Sequence, residues 1–415
     1  MLSESLVKIK KFLSMSPDPV NNRSLWGIAW MSFFWSTATV MVFTLLPTFL
    51  TEVLGASKTK LGMIEGVAVF LAFLAKVFSG VLSDYWRSRK PLIMVGTFAS
   101  IVVKSMFAMA TSISWIFVAR SIDRFSKGVR SAPTDALIAD LSPLHKEGSS
   151  YGIRYMLYTL GAVFGGAVAA SIMHLSPHNY RLVFWLSVIP ATIAFLVLVI
   201  VVKPAAEESE MKTRPWHWRD AKYLPPVFWN LLGVSFLLML ARFSEAFLTL
   251  RAKDLGWSIH MLPLLMVGYD IVNAGISLPI GKMADRYNRQ KLLLAGILVL
   301  TLTNLVIISI HHSTGIFAGM LLAGLHMGMT QGLIAALIAE TTLPHLRGTA
   351  FALYYLTSGV AVLIGNSVAG YLSDIMGGAV GAFWGGAIFT MLAAGYLVKV
   401  MRNSSINAGI SLFSK

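Results

Sequence analysis

The chain contains no cysteine among its 415 residues. That excludes disulfides, thiolate metal sites and cysteine nucleophiles together. Charge is also scarce: 13% of residues are Asp, Glu, Lys or Arg, against 56% hydrophobic, and the mean hydropathy is +0.70. A water-soluble protein cannot cover so much apolar surface, so the bilayer is the expected solvent. Acidic residues are the scarcer sign, 19 against 34 Lys and Arg, for a formal charge of +15. The sequence shows no metal-ligand cluster, nucleophile motif or nucleotide-binding loop, so neither an enzyme nor a cofactor is expected. The first residues, "MLSESLVKIKKFL", have no small-residue cleavage site and read as a surface-lying segment or a plain tail rather than a signal peptide.

What is present is a series of apolar runs near the ~20-residue spanning length. They fall at about 25–53, 60–83, 91–111, 114–141, 147–173, 181–202, 226–250, 259–284, 292–311, 314–342, 348–374 and 379–400. The runs are too long and uniform for barrel strands, so helices are predicted. One long polar link separates two groups of about six spans. The expected division is a tail at 1–24, a bundle at 25–202, a linker at 203–225, a second bundle at 226–400 and a tail at 401–415.

Lysine and arginine set the orientation. With both termini inside, the inner links hold Arg87, Arg89, Lys90, Lys282, Arg286 and Arg289 among others, while the outer links hold Lys58, Lys60, Arg181, Arg251 and Lys253. The positive charge is therefore largely a topology signal. Nucleic-acid binding is not expected, because no soluble basic face remains to carry it. A multi-pass protein of a bacterial-type inner (plasma) membrane, with cytoplasmic termini, is predicted.

The halves repeat. "ALIADLSPLHKEGSSYGIRY" at 136–155 matches "ALIAETTLPHLRGTAFALYY" at 336–355, 200 residues later, with Asp140 answered by Glu340. "GVLSDYWRSRK" at 80–90 matches "GKMADRYNRQK" at 281–291. Parallel repeats of this kind are a transporter architecture, with the substrate between the halves near the midplane.

The second repeated pair resembles the signature of the major facilitator superfamily between helices 2 and 3, G-x-L-a-D-r-x-G-r-k, and its copy between helices 8 and 9. Gly80, Leu82, Asp84, Arg89 and Lys90 fit the first; Gly281, Asp285, Arg286, Arg289 and Lys291 fit the second. Tyr85 and Arg87 depart from it. The resemblance implies twelve helices in two pseudo-symmetric six-helix bundles, alternating access, and a gate latch made by these residues. Glycine there would let two helices approach closely, and an aspartate can cap or salt-bridge a helix end.

The fourth span is the exception to the scarcity of charge. At about 100° per residue, Arg120, Arg124, Lys127, Ser131 and Thr134 share one side of it. Asp123 and Arg130 flank one edge and Asp135 the other; Ile122, Phe125, Val129, Ala136 and Leu137 lie opposite. A charged stripe facing lipid would cost several kcal/mol per charge, so it should face the bundle interior. Arg124 and Gly128 also resemble a superfamily signature in helix 4, R-x-x-q-G-x-G, whose arginine region is linked to proton coupling; Lys127 and Arg130 depart from it. So many basic groups suit a carboxylate or phosphate. The competing expectation is internal pairing: Asp123 with Arg120 or Lys127, Asp135 with Arg130 or Arg154, and Glu65 from another helix.

By the same cost argument the substrate-binding candidates are Arg120, Arg124, Lys127, Arg130, Arg154, Arg242, Asn273, Asn304 and Gln331. The proton-coupling candidates are Asp123, Asp135, Glu65, Glu245 and Asp270. Arg242 and Glu245 lie one turn apart and suit a local ion pair. Lys76, Lys104 and His326 are further intramembrane polar groups, His326 reading equally as a satisfied core histidine or as a proton carrier. The glycines Gly161, Gly165 and Gly166 only partly match a helix 5 signature of drug/proton antiporters, and close packing explains them. The expected function is proton-coupled secondary transport of a small organic anion by a monomer. Candidate substrates are carboxylates, carboxylate siderophores and phosphorylated metabolites; multidrug efflux is the alternative.

Overall fold

The computed structural model describes residues 23–85, 89–142, 147–203, 218–284, 286–309, 312, 315–343 and 346–413. Among them are twelve long helical spans and no strand. In chain order these are α1 (Arg23–Val53), α2 (Lys58–Tyr85), α3 (Lys90–Ala108), α4 (Ile113–Leu141) and α5 (Glu147–Leu175). Next come α6 (Tyr180–Val201) and α7 (Pro226–Asp254). The last five are α8 (Leu262–Ala284), α9 (Arg289–Ser309), α10 (Gly315–Thr341), α11 (Arg347–Ile375) and α12 (Val380–Phe413). Eleven are long and apolar enough to cross a membrane, and α4 is the span left out, because it is charged at almost every turn. α12 runs on as helix to Phe413, past the boundary expected at 400.

Two spans are broken. α1 stops at Phe43 and resumes at Leu46, with Pro47 in the first turn, then widens into a π-helical turn over Phe49–Val53. Proline lacks the N–H that would continue the ladder. α7 divides into Pro226–Ala241 and Ala246–Asp254 without a proline. Its break is satisfied by neighbouring helices: the Ser244 N–H donates to Asn366 Oδ1 at 2.7 Å, and its hydroxyl to Glu65 Oε2 at 3.0 Å. Side chains that replace lost backbone partners are what irregular backbone needs at membrane depth.

Three apolar clusters show how the halves meet. Leu25, Trp35, Ile93, Leu137 and Leu198 fill a core of the first bundle at the end where the 203–217 link joins α6 to α7. Phe228, Leu238, Leu293, Leu337 and Leu397 fill its counterpart in the second. At the opposite end one core serves both, from Phe49, Phe107 and Phe184 to Phe247, Leu262 and Phe383. The halves thus share one core at one end and hold a core each at the other, with α2 and α11 in contact from Gly62–Asn366 to Lys76–Tyr355. At the shared end α2 and α11 nearly touch backbone to backbone: a Cβ on Gly62 would stand 2.2 Å from the Asn366 carbonyl oxygen. Asp374 of α11 caps α2 there, accepting from Lys58 N at 2.9 Å and Thr59 N at 2.8 Å. Lys253 pairs with Glu52, and the rings of His174 and His260 lie 5.3 Å apart. At the linker end a Cβ on Gly152, Gly281 or Gly348 would meet nothing within 4 Å. Among the described residues Gly281 therefore brings no two helices together, contrary to its sequence reading.

The duplication is visible in the packing. Arg89 pairs with Asp140, and 200 residues on Arg289 pairs with Glu340 at 3.1 Å. Lys90 donates to the carbonyls of Val199 and Val202 at 3.1 and 2.6 Å, placing a cation on the carboxyl end of α6. Arg286 is exposed in the turn before α9. Asp285 lies outside the described residues, as do the side chains of residues 80–85, including Gly80 and Asp84.

Candidate functional site

The charged stripe of α4 faces inward, with Arg120, Asp123 and Arg130 no more than 6% exposed, while Ile122 and Phe125 on the opposite side are exposed. Farther along that apolar face Leu137 is buried, because the first bundle's own core closes over it. Gly128 makes the burial feasible: a Cβ there would stand 2.5 Å from the Ala72 carbonyl oxygen, so α2 and α4 are in backbone contact. The glycines of α5 likewise serve packing: Gly161 meets Phe33 of α1 and Gly166 meets α8.

Within the stripe the charges are partly paired. Arg120 donates to Glu65 through Nε at 2.8 Å and Nη2 at 2.6 Å. Lys104 of α3, wholly buried, binds Asp123 Oδ1 at 3.2 Å, and Arg120 approaches the other oxygen at 4.0 Å. Asp123 therefore finds its main partner on a neighbouring helix, not on Lys127, since the α3 ammonium projects straight at it. Asp135 pairs with Arg154, which also donates to Ser32 at 3.3 Å. Among the described residues Arg124, Lys127 and Arg130 make no ion pair. Arg124 Nε and Arg120 Nη1 are buried without a hydrogen-bond partner.

Aromatic rings of α1 hold these cations instead. The guanidinium carbon of Arg120 lies 3.9 Å from the Phe43 ring centre, with Lys104 Nζ at 4.5 Å and Arg124 at 5.1 Å. Arg130 lies 3.7 Å over Trp35 and Lys127 5.7 Å. The negative face of a ring attracts a cation without neutralising it. Phe43 stands at the break of α1. Residue 243, 200 further, is also phenylalanine and stands in the break of α7. Neither Trp35 nor Phe43 stood out in the sequence, though the repeat links Phe43 to Phe243.

Across the cleft the second bundle presents carboxylates. Glu245 at the α7 break and Asp270 of α8 make no ion pair among the described residues, yet both lie within electrostatic reach of Lys127. Tyr158 of α5 lies within reach of Arg124 on one side and Asp270 and Glu245 on the other, which places it between the bundles.

The remaining candidates do not converge on this cluster. Arg242 does not pair with Glu245, because the break of α7 between them removes the helical register. Its Nε donates to His326 Nε2 at 3.2 Å, and it also reaches Thr330. His326 Nδ1 faces the Gly296 carbonyl at 2.8 Å and must donate to it. Both ring nitrogens are thus occupied, the satisfied core histidine of the two readings. Asn304 is buried where Gly386 and Phe243 meet, with Nδ2 unpartnered. Asn273 has its Oδ1 unpartnered beside α10, and Gln331 is exposed. Lys76 lies 4.7 Å over the ring of Tyr355, from the opposite half.

Known proteins share this architecture. The Major Facilitator Superfamily profile matches residues 28–251 and again 231–409. An uncharacterized MFS-type transporter of Methanocaldococcus jannaschii is 25% identical over 85% of this chain and 89% of its own. The quinolone resistance protein NorA of Staphylococcus aureus is 23% identical over 54% of this chain and 56% of its own. Among solved structures, a bacterial homolog of the human lysosomal transporter Spinster, inward-facing and occupied, superposes with a TM-score of 0.72, covering 93% of this chain and 98% of its own at 15% identity. Two matches of one profile, a relative along most of the length and a shared twelve-helix fold leave one reading of the duplicated bundles: the chain belongs to the Major Facilitator Superfamily and is a multi-pass membrane transporter, not an enzyme.

Proposed function

We propose that the protein carries a small organic anion by alternating access, as a proton-coupled secondary transporter. One observation supports the anion: three cations on one inward face, Arg124, Lys127 and Arg130, make no ion pair among the described residues. Cations at membrane depth are retained at a cost unless a partner arrives, and a carboxylate or phosphate is the partner that guanidinium and ammonium groups recognise. Siderophore carboxylates and phosphorylated metabolites belong to the same class.

Coupling follows from the opposite wall. An anion entering beside Lys127 meets Glu245 and Asp270. A proton taken up by either carboxyl removes the repulsion, so anion and proton move together. Glu65 and Asp123 suit this role less, since each is engaged by a buried cation. With both termini cytoplasmic in an inner membrane, the linker end faces the cytoplasm. The substrate-side residues are Arg124, Lys127 and Arg130; Arg89 and Arg289, paired in each half, are the gate residues. The unit of transport is the monomer.

Proteoliposomes test the reading. Accumulation of a radiolabelled carboxylate should require a pH gradient and should vanish in Arg124→Gln and Lys127→Gln. Wild-type transport by both variants would remove the stripe from the mechanism. The second reading, drug efflux, is favoured by the partial similarity to NorA. Saturable export of a cationic dye, indifferent to both substitutions, would select it.

A further inference from the structure

Two imidazoles meet where the bundles share one core, far from any role in the charged stripe. His174 stands in the last turn of α5, and His260 in the turn Ile259–Met261 that precedes α8. One belongs to each bundle. Their ring centres lie 5.3 Å apart, with planes 65° from parallel. Among the described residues neither ring makes a hydrogen bond or an ion pair. His174 is exposed and His260 half-buried, so water reaches both.

The pair is held from both sides. Met173, next to His174, is buried in the shared core, and Ile259, next to His260, packs against it. Farther along, α5 and α8 nearly touch: a Cβ on Gly166 would stand 2.5 Å from Val267 and 3.2 Å from the Pro263 carbonyl oxygen. Packing alone does not call for imidazoles at such a contact, since aliphatic side chains would fill it without a polar ring. Two water-accessible imidazoles with no protein partner, facing each other, are the donor set of a transition-metal ion. A metal–nitrogen bond of about 2.0–2.1 Å puts each ring centre about 3.2 Å from the ion, and two rings at a tetrahedral angle then lie about 5 Å apart. The observed spacing agrees. The torsion that aims a histidine nitrogen is broad, so side-chain rotation turns one nitrogen of each ring toward a common point.

We propose that His174 and His260 together bind a divalent transition-metal ion, Zn2+ in the test below, that bridges the two bundles, with water completing its coordination. A ligand that needs both histidines binds only while they stand together, so it holds this end shut and opposes the alternating-access cycle. The site does not depend on the charge of the transported solute.

ZnCl2 and MgCl2, added to the full-length solubilised chain, test it by thermal-shift titration. Zn2+ should raise the melting temperature saturably, because it binds the folded state. His174→Gln and His260→Gln should each weaken the apparent affinity about tenfold or more, at least the loss expected when a metal site loses a supporting group. Mg2+, which takes oxygen ligands, should give no shift. The lock is read separately by hydrogen exchange: Zn2+ should slow exchange at the end of α5 and through the Ile259–Met261 turn in the wild type, and in neither variant at the same concentration. No saturable Zn2+ shift overturns the site, as does a shift that both variants retain or that Mg2+ reproduces. A shift lost in one variant alone rules out a bridge between the bundles. Exchange unaltered by bound Zn2+ disproves the lock.

Discussion

Arg120 donates two hydrogen bonds, at 2.8 and 2.6 Å, to the two carboxylate oxygens of Glu65, and both residues are at most 3% exposed. The same carboxylate accepts from Ser244 of the other bundle at 3.0 Å. One buried ion pair therefore fixes α2 to α4 and also meets the break in α7. Removing Glu65 leaves Arg120 buried with only the 4.0 Å approach to Asp123, and breaking a buried pair costs about 3–5 kcal/mol. Glu65→Leu should lower the melting temperature sharply. The double variant Glu65→Leu/Arg120→Met should recover most of the loss, read as a double-mutant cycle in thermal melts. Additive losses would show that the two charges do not compensate each other.

Lys127 is the opposite case, a cation that makes no ion pair among the described residues. Its replacement by Met should leave stability unchanged or raise it by about 1–2 kcal/mol, because no partner is orphaned. Transport of the anion should be lost. A marked fall in melting temperature would reveal a structural partner for the ammonium and count against its place at the substrate.

The absence of cysteine makes the shared end directly testable. His174 and His260 face each other across the two bundles, ring centres 5.3 Å apart. Cysteines introduced at both positions should be joined by a short bismaleimide, and the joined protein should stop transporting. Full transport after complete cross-linking would exclude alternating access by separation at this end.

Two glycines of α5 make a stability comparison. A Cβ on Gly161 would press to 2.2 Å from the Phe33 carbonyl oxygen, whereas one on Gly152 meets nothing within 4 Å. Gly161→Ala should destabilise by about 1–3 kcal/mol, the usual cost of overpacking. Gly152→Ala should be neutral or mildly stabilising through helix propensity. Equal melting temperatures would mean that α1 and α5 are not in backbone contact.

The paired arginines Arg89 and Arg289 sit at partly exposed sites, so their loss should be nearly silent in melting. Arg89→Ala should shift stability by at most about 1 kcal/mol, while the charge swap Arg89→Asp/Asp140→Arg should restore whatever transport the single change removes. Failure of the swap with a normal fold would show that Arg89 acts on something besides Asp140.

Much of this protein is legible in its sequence. Apolar runs near the spanning length place all twelve helices, because a bilayer leaves the backbone no partner but itself. The repeat matches 80–90 to 281–291 and sets Arg89 opposite Gln290, so it is the packing that equates Arg89 with Arg289. The inward direction of the α4 stripe follows from the cost of charge in lipid, and the structure buries it.

Partners between helices were legible only in part: Asp135 with Arg154 and Glu65 with the stripe were among the expected pairs, but nothing in local spacing says which helix stands beside which. Helical register pairs Asp123 with Arg120 or Lys127; Arg120 approaches it at 4.0 Å, but the closer partner at 3.2 Å is Lys104 of α3. Register likewise pairs Arg242 with Glu245, and the break in α7 separates them. Sequence alone determined the number, length and duplication of the helices, because those depend on hydrophobicity and period along the chain. Tertiary structure decided which charges are matched, which are left to face the cleft and which rings lie beside them, because each depends on distances across the bundle.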